Sequence, residues 1–176
     1  MPHLETHPHI IFEDNWTLEK DVIFMLGQCE AIISTISEIP LPPKERQWLL
    51  LVSLRKGAQA TTAIEGNTLT EEEIARIDEG ESLPPSREYL EIEVKNIIEA
   101  LNAIREDVIL NDKSVVITPE LIKSFHRYVG KNLGDHFQAI PGQFRQNNVV
   151  VGTYRPPEYS SVNALVQRLC EWMRET

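Results

Sequence analysis

The sequence predicts an all-α protein with one β-hairpin. Through most of the chain apolar residues recur at helical spacing, and prolines and capping residues separate these runs. One stretch differs: residues 141–157, PGQFRQNNVVVGTYRPP, have glycine near each end, an Asn-Asn turn candidate and a β-branched run. The 176 residues are enough for one sizeable core or two small ones.

Charge and hydropathy exclude several classes of function. The formal net charge is −10, which argues against electrostatic binding to nucleic acid or anionic lipid. No apolar run approaches the length of a membrane span, and residues 1–16, read as an irregular arm, lack the features of a signal peptide. We therefore expect a cytoplasmic protein without a nucleic-acid or membrane partner. Cys29 and Cys170 lie on apolar helical faces and are expected to be buried thiols.

Two helices are predicted in the first third of the chain. Apolar residues form a helical stripe from Thr17 to about Glu38, and the prolines of residues 40–43 end it. A second helix starts near Pro43 and runs to Glu65. Its first half is apolar on nearly all sides and is expected to be buried, whereas its second half has small residues that allow another element to approach closely.

The remaining helices are predicted from their caps and apolar faces. Thr70 and Glu73 form a capping-box pattern at the start of a short helix that ends near Asp78. Residues 87–108 show the clearest amphipathic pattern in the chain, and Thr118-Pro119 begins a helix that runs to about residue 131. The last helix is expected to start at a serine cap, at residue 160 or 161.

The end of the second helix raises a question about function. A carboxylate at a helix C-terminus is disfavoured by roughly 0.3–1 kcal/mol, yet Glu65 stands there, directly before Gly66-Asn67. A cation or a function should compensate for it. Elsewhere the sequence shows no phosphate-binding loop, no metal-binding motif and no recognisable arrangement around a nucleophile.

The stretch TTAIEGNTLTEEE, residues 61–73, resembles the inhibitory helix of Fic-family proteins (filamentation-induced-by-cAMP domain), with Thr61, Glu65 and Gly66 at the motif positions. Three later stretches are similar to Fic elements in the same order. ITPELIKSFHRYVG resembles the first core helix, residues 141–157 resemble the flap hairpin, and VNALVQRLCEWM resembles the helix that follows. The resemblance covers roughly residues 17–176.

The resemblance implies a Fic-like helical bundle with a flap hairpin. Its regions would be an N-terminal arm (1–16), an N-terminal helical region (17–112) with the inhibitory helix at about 43–66, and the start of the Fic core (113–176) with the flap at about 141–157. Fic proteins transfer AMP from ATP to hydroxyl side chains of target proteins. Their catalytic signature, H-x-F-x-D/E-G-N-G-R-x-x-R, is absent from this sequence. The chain is therefore expected to stop before the catalytic helix and to be inactive alone, with no catalytic residue and no metal ligand.

The resemblance also implies roles for individual residues. Glu65 would pair with the second arginine of the signature and so occupy the place that the ATP γ-phosphate needs, while Thr61 and Gly66 position the end of the helix. ATP and Mg²⁺ are expected for the intact protein. In the flap, a strand would pair with the target segment that bears a Ser, Thr or Tyr hydroxyl. The flap residues expected to dock that segment are Arg145, which braces the hairpin, and Val149, Val150, Val151 and Gly152.

A second class of function stays open from the sequence. The chain could be a stand-alone helical interaction module, for example an antitoxin-like inhibitor of a separate Fic core. Its apolar helical stripes also predict a homo-oligomer or a partner chain, because the central helix around which they would pack in a Fic bundle is missing from this sequence.

Overall fold

The computed structural model describes residue 7 and residues 10–13, 17–111 and 114–175. This part of the chain is mostly helical, which confirms the all-α class. The α-helices are α1 (Lys20–Ser37), α2 (Pro43–Ile64), α3 (Glu71–Asp78), α4 (Glu88–Arg105), α5 (Pro119–Gly130) and α6 (Tyr159–Glu175). A π-helical turn, Glu106–Leu110, continues α4, and 3₁₀ turns form at Pro85–Arg87 and Gly134–His136. No described helix is long and apolar enough to cross a membrane.

The chain divides into two compact units, and the boundary lies within α2. The smaller unit is Glu13–Leu51, and the larger unit joins Met1–Phe12 to Val52–Thr176. The hydrophobic core lies in the larger unit, between the second half of α2, α3 and α4. Its buried members are Ala58, Leu69, Ile74, Ile77, Leu90, Val94, Ile97 and Ile98.

Small residues let α2 approach this core, as the sequence predicts. Ala58 is fully buried, and a Cβ on Gly57 would stand 3.6 Å from the Leu101 side chain. Thr62 is also buried, and its hydroxyl donates to the carbonyl of Ala58, so this polar group stays paired inside the core.

The helix caps predicted at Thr70 and Thr118 are present. Thr70 Oγ1 accepts from the amide of Glu73 at 3.3 Å, and the Glu73 carboxylate accepts from the amide of Thr70 at 3.0 Å. Hydrogen bonds from the Arg87 guanidinium and from the Thr70 amide hold the pKa of Glu73 below its usual range. At α5, Thr118 Oγ1 accepts from the amide of Leu121 at 3.1 Å.

A buried carboxylate fastens the loop before α4. Glu91 is only 6% exposed, and burial alone would raise its pKa. Its hydrogen bonds from Lys95 (2.6 Å) and from the amide of Leu83 outweigh the burial, so the pKa of Glu91 lies below its usual range. The loop is thereby tied to the first turn of α4.

The predicted hairpin is reduced to one turn. The described residues contain no β-strand, and residues 141–157 have a single antiparallel bridge, in which Val151 and Tyr154 exchange two backbone hydrogen bonds of 3.0 Å. Gly152 supplies the positive φ of +60° that this tight turn needs. A lone pair of strands is at best marginally stable without a third strand, which explains why the pairing does not extend.

Three further expectations are wrong. Cys170 is buried but Cys29 is exposed, and the first half of α2 is exposed rather than buried, with Trp48 at 61%. Both errors concern the smaller unit, in which no described residue is buried. The last helix begins at Tyr159 rather than at a serine cap: Asn148 Oδ1 accepts from the amide of Tyr159 at 2.9 Å, and Ser161 lies buried inside the helix.

Candidate functional site

The candidate site is built at the C-terminal end of α2. The helix ends at Ile64, and the amides of Glu65 and Asn67 both donate to the carbonyl of Thr62, at 3.0 and 3.1 Å. Gly66 has a φ of +91°, a left-handed conformation that glycine adopts without steric cost. The backbone therefore turns sharply away directly after Glu65, and the carboxylate stands at the helix end.

The buried side chain of Asn67 fastens this helix end to α4. Its Nδ2 donates to the carbonyl of Leu90 at 3.1 Å and to Glu93 Oε2 at 2.7 Å. Its Oδ1 accepts from the amide of Leu69 at 3.0 Å, and the residue is only 8% exposed. Three hydrogen bonds to three different residues thus fix the position of the turn that follows Glu65.

A cavity of about 410 Å³ opens beside this turn. Its described lining comes from the end of α2, the first turns of α4, the end of α5 and the 3₁₀ turn after it, with no lysine or arginine among these residues. The lining residues are Glu65, Gly66, Asn67, Tyr89, Leu90, Glu93, Val129, Leu133, His136 and Phe137. The rings of Tyr89 and His136 stack with their centroids 4.4 Å apart and form one wall.

The cavity has a negative electrostatic character. The carboxylates of Glu65 and Glu93 both line it, and the C-terminal end of α2 adds partial negative charge. Glu93 is half-buried and accepts the hydrogen bond from Asn67, whereas Glu65 is exposed and its carboxylate has no hydrogen bond or ion pair within the described part of the chain. The arrangement suits a cationic group, supplied from outside the described residues, that pairs with the Glu65 carboxylate.

Two neighbouring threonines, Thr61 and Thr62, lie at the end of α2, and only Thr61 was predicted to position the helix end. Thr61 is exposed on the same side of the helix as Glu65, one turn earlier. The neighbouring Thr62 is the threonine that packs in the core and accepts the amides of the turn through its carbonyl.

The segment predicted as a flap is anchored at its base and open at its tip. The Arg145 guanidinium donates to the carbonyls of Asn147 and Pro157, so this arginine braces the segment. The tip residues Val149, Val150 and Val151 are 44–65% exposed. Neither Val149 nor Val150 has a backbone–backbone hydrogen bond to another described residue, so their amides and carbonyls are available to an added strand.

A histidine ties the start of this segment to α5. The Nδ1 of His126 accepts from the amide of Gly142 at 2.9 Å, which requires the proton of the neutral ring to be on Nε2. Gly142 has a φ of +79°, and a Cβ there would stand 2.8 Å from Arg127 Nε. Only glycine fits this close approach of the loop to the helix.

The structure brings some of the predicted site residues together and leaves others apart. Glu65 and Gly66 line the same cavity, and none of the flap residues lines it. The sequence did not indicate Glu93, Tyr89 or His136 as site residues. Tyr89 and Glu93 lie four residues apart on α4, a spacing that places them on one face, but this pattern is common in amphipathic helices and does not mark a site.

A larger, apolar cavity of about 600 Å³ lies between α4 with its π-helical turn and α5. It is lined mainly by aliphatic and aromatic side chains, including Ile104, Val115 and Phe125, and by none of the predicted site residues.

Within the described residues, no three His, Cys, Asp or Glu side chains come together as a metal site. The acidic character of the cavity beside Glu65 also opposes a polyphosphate. No known protein-family model matches the chain, so its likeness to Fic proteins rests on the motifs alone.

Proposed function

We propose that this chain is the regulatory and target-docking part of a Fic-type protein adenylyltransferase, and that it inhibits AMP transfer through Glu65. The observation that supports the proposal most directly is the environment of the Glu65 carboxylate. It is exposed, it belongs to a residue that lines an acidic cavity, and it has no partner among the described residues, while three Asn67 hydrogen bonds fix the backbone turn that follows it.

A carboxylate in this environment selects a cationic partner. Glu65, Glu93 and the end of α2 together favour a positive charge, and a guanidinium can bond a carboxylate through two parallel hydrogen bonds. In the Fic reading this guanidinium is the second arginine of the catalytic signature. While it is bound to Glu65, it cannot take part in binding the ATP γ-phosphate, and AMP transfer is inhibited.

The flap segment supports the docking half of the proposal. Its base is fixed by Arg145, and its exposed tip offers the backbone groups of Val149 and Val150, which have no backbone–backbone hydrogen bond to another described residue. A target segment that carries a Ser, Thr or Tyr hydroxyl can add to this tip as a strand, through main-chain hydrogen bonds. ATP, Mg²⁺ and the catalytic base belong, in this proposal, to the segment that carries the signature.

The test compares Glu65→Gln with Glu72→Gln in a protein that joins this chain to the Fic signature. Sequencing the gene beyond the codon for Thr176 shows whether such a protein is encoded in frame. Both substitutions remove one exposed carboxylate and keep the size of the side chain, but Glu72 lies on α3 and does not line the cavity. Transfer of labelled AMP is measured for each variant.

We expect Glu65→Gln to raise AMP transfer at least about tenfold, since loss of about 1.4 kcal/mol of pairing energy is a factor of ten. Glu72→Gln should leave transfer unchanged. Equal rates in the Glu65→Gln variant and the unsubstituted protein, with both proteins folded, would refute an inhibitory role for Glu65.

A further inference from the structure

The smaller unit, Glu13–Leu51, consists of α1 and the first turns of α2, and it has no buried residue among those described. Seven large apolar side chains of α1 are more than half exposed, among them Phe24 at 67% and Ile33 at 60%. Four of them are consecutive, at residues 23–26. Because successive side chains on a helix are about 100° apart, these four point to all sides.

Neither water nor a lipid surface alone is a favourable environment for the apolar side chains of α1. Three charged residues, Lys20, Asp21 and Glu30, are present in the 18 residues of α1. A helix that lies on a membrane surface typically has one strongly basic face, and α1 has one cation. Apolar side chains around the whole circumference are instead typical of a helix that is enclosed by other helices.

We propose that a second copy of this chain covers this surface, so that α1 and the first turns of α2 from two copies pack together in one helical assembly. The proposal is independent of any role of Glu65. At roughly 100 Å² for each of the seven α1 side chains, one copy exposes about 700 Å², close to the roughly 800 Å² that each partner buries in a standard-size interface.

The first turns of α2 add further exposed apolar side chains to the unit. Trp48 is 61% exposed and Leu49 is 42% exposed, so the second helical segment of the unit is apolar as well. Two copies related by a two-fold axis contribute two helical segments each. The resulting four helices are enough to enclose a core, as in a four-helix bundle. Each α1 then has neighbouring helices on more than one side, which its apolar side chains need because they point to all sides.

The test measures the mass of the full chain by sedimentation between about 1 and 100 μM, a range that spans Kd values typical of moderate association. We expect a shift from 20.1 kDa towards twice that mass. The double variant Phe24→Asp, Ile33→Asp should raise Kd at least about a hundredfold. The control is Leu110→Asp, which places one aspartate at an apolar position with 63% exposure outside the unit and should leave Kd unchanged.

Cys29 gives a second readout, because it is exposed on α1 while Cys170 is buried. Labelling of Cys29 by a thiol reagent should slow as the protein concentration rises, and should stay fast in the double variant. The melting of the core checks that this variant is folded. A monomer at every concentration would overturn the proposal, as would association that Leu110→Asp abolishes. Binding of the monomer to phosphatidylcholine vesicles would assign the surface to lipid and would overturn it as well.

Discussion

Replacing Asn67 by alanine tests whether this side chain holds the end of α2 in place. The substitution removes three hydrogen bonds, to the amide of Leu69, to the carbonyl of Leu90 and to the carboxylate of Glu93. The amide of Leu69 loses its protein partner at a site where Asn67 itself is only 8% exposed, whereas the carbonyl of Leu90 lies inside α4 and keeps its intrahelical hydrogen bond. The Glu93 carboxylate is half-buried and can be solvated from the cavity.

The expected loss in the free energy of unfolding follows from the fate of these groups. A buried polar group left without a partner costs about 1–3 kcal/mol, which applies to the Leu69 amide, and each of the two other lost hydrogen bonds costs about 0.5–1.5 kcal/mol. Water that enters the space left by the side chain recovers part of this cost. We therefore expect Asn67→Ala to lower the free energy of unfolding by about 2–4 kcal/mol, which for a chain of this size lowers Tm by roughly 5–15 °C.

The measurement is urea unfolding of the full chain followed by far-UV circular dichroism. The matched control is Asn163→Ala, at an exposed position of α6, which should change the free energy of unfolding by less than about 0.5 kcal/mol. An Asn67→Ala variant that is as stable as this control would show that the three hydrogen bonds do not fix the turn. The turn would then have no structural support for presenting Glu65.

Three shorter predictions concern other parts of the molecule. The pKa of Glu73 is held below its usual 4.5 by Arg87 and Thr70. The ionised Glu73 carboxylate therefore stabilises the fold above about pH 4.5, and this contribution is lost as the pH falls through the pKa of Glu73 in the folded protein. Glu73→Gln should lower Tm at pH 7 and have little effect at pH 3. Gly130→Ala should destabilise the larger unit by about 1–3 kcal/mol, because its Cβ would stand 2.3 Å from the Phe137 ring, and Phe137→Leu should restore part of this loss. Incubated with labelled ATP, Mg²⁺ and a cell lysate, the chain alone should transfer no AMP, and transfer that requires this chain would contradict the reading.

Most helices could be predicted from the sequence because their signals are local. The capping pair Thr70 and Glu73 and the Thr118-Pro119 start depend on residues within one turn of each other, and both caps form as expected. The small residues in the second half of α2 also predicted the close contact there, since Ala58 is buried.

The expectations that failed depend on contacts between distant parts of the chain. The β-branched run at Val149–Val151 has strand propensity, but a strand needs a partner, and the structure supplies one bridge. The start of α6 is set by Asn148, 11 residues before the amide of Tyr159 that it accepts. Burial of Cys29 was expected from the apolar face of α1, but such a face shows only that a helix needs covering and not which surface covers it.

The candidate site was predictable at Glu65 and Gly66, where the motif and the turn coincide, but not at Glu93 or at the ring pair of Tyr89 and His136. These side chains enter the site only because α4 and the turn after α5 pack beside the end of α2. Asn67 is intermediate: its place after Gly66 indicates a role in the turn, whereas its hydrogen bonds to Leu90 and Glu93 depend on the fold.

The carboxylate of Glu65, which has no partner among the described residues, leads to a last prediction, about the stability of the chain alone. At a helix C-terminus this charge costs roughly 0.3–1 kcal/mol, and Glu93 on the same cavity adds repulsion. Glu65→Gln should therefore raise the free energy of unfolding by about 0.3–1 kcal/mol, and the gain should shrink in high salt.

Glu72→Gln is the matched control with the opposite sign. Glu72 lies in the first turn of α3, where a carboxylate interacts favourably with the helix N-terminus, so its removal should destabilise the chain slightly. Urea unfolding at low and at about 1 M salt separates the two effects, since the Debye length falls to about 3 Å at 1 M. If Glu65→Gln also destabilised the chain, the carboxylate would already be paired within it, and no outside cation would be needed to explain why a helix ends on a glutamate.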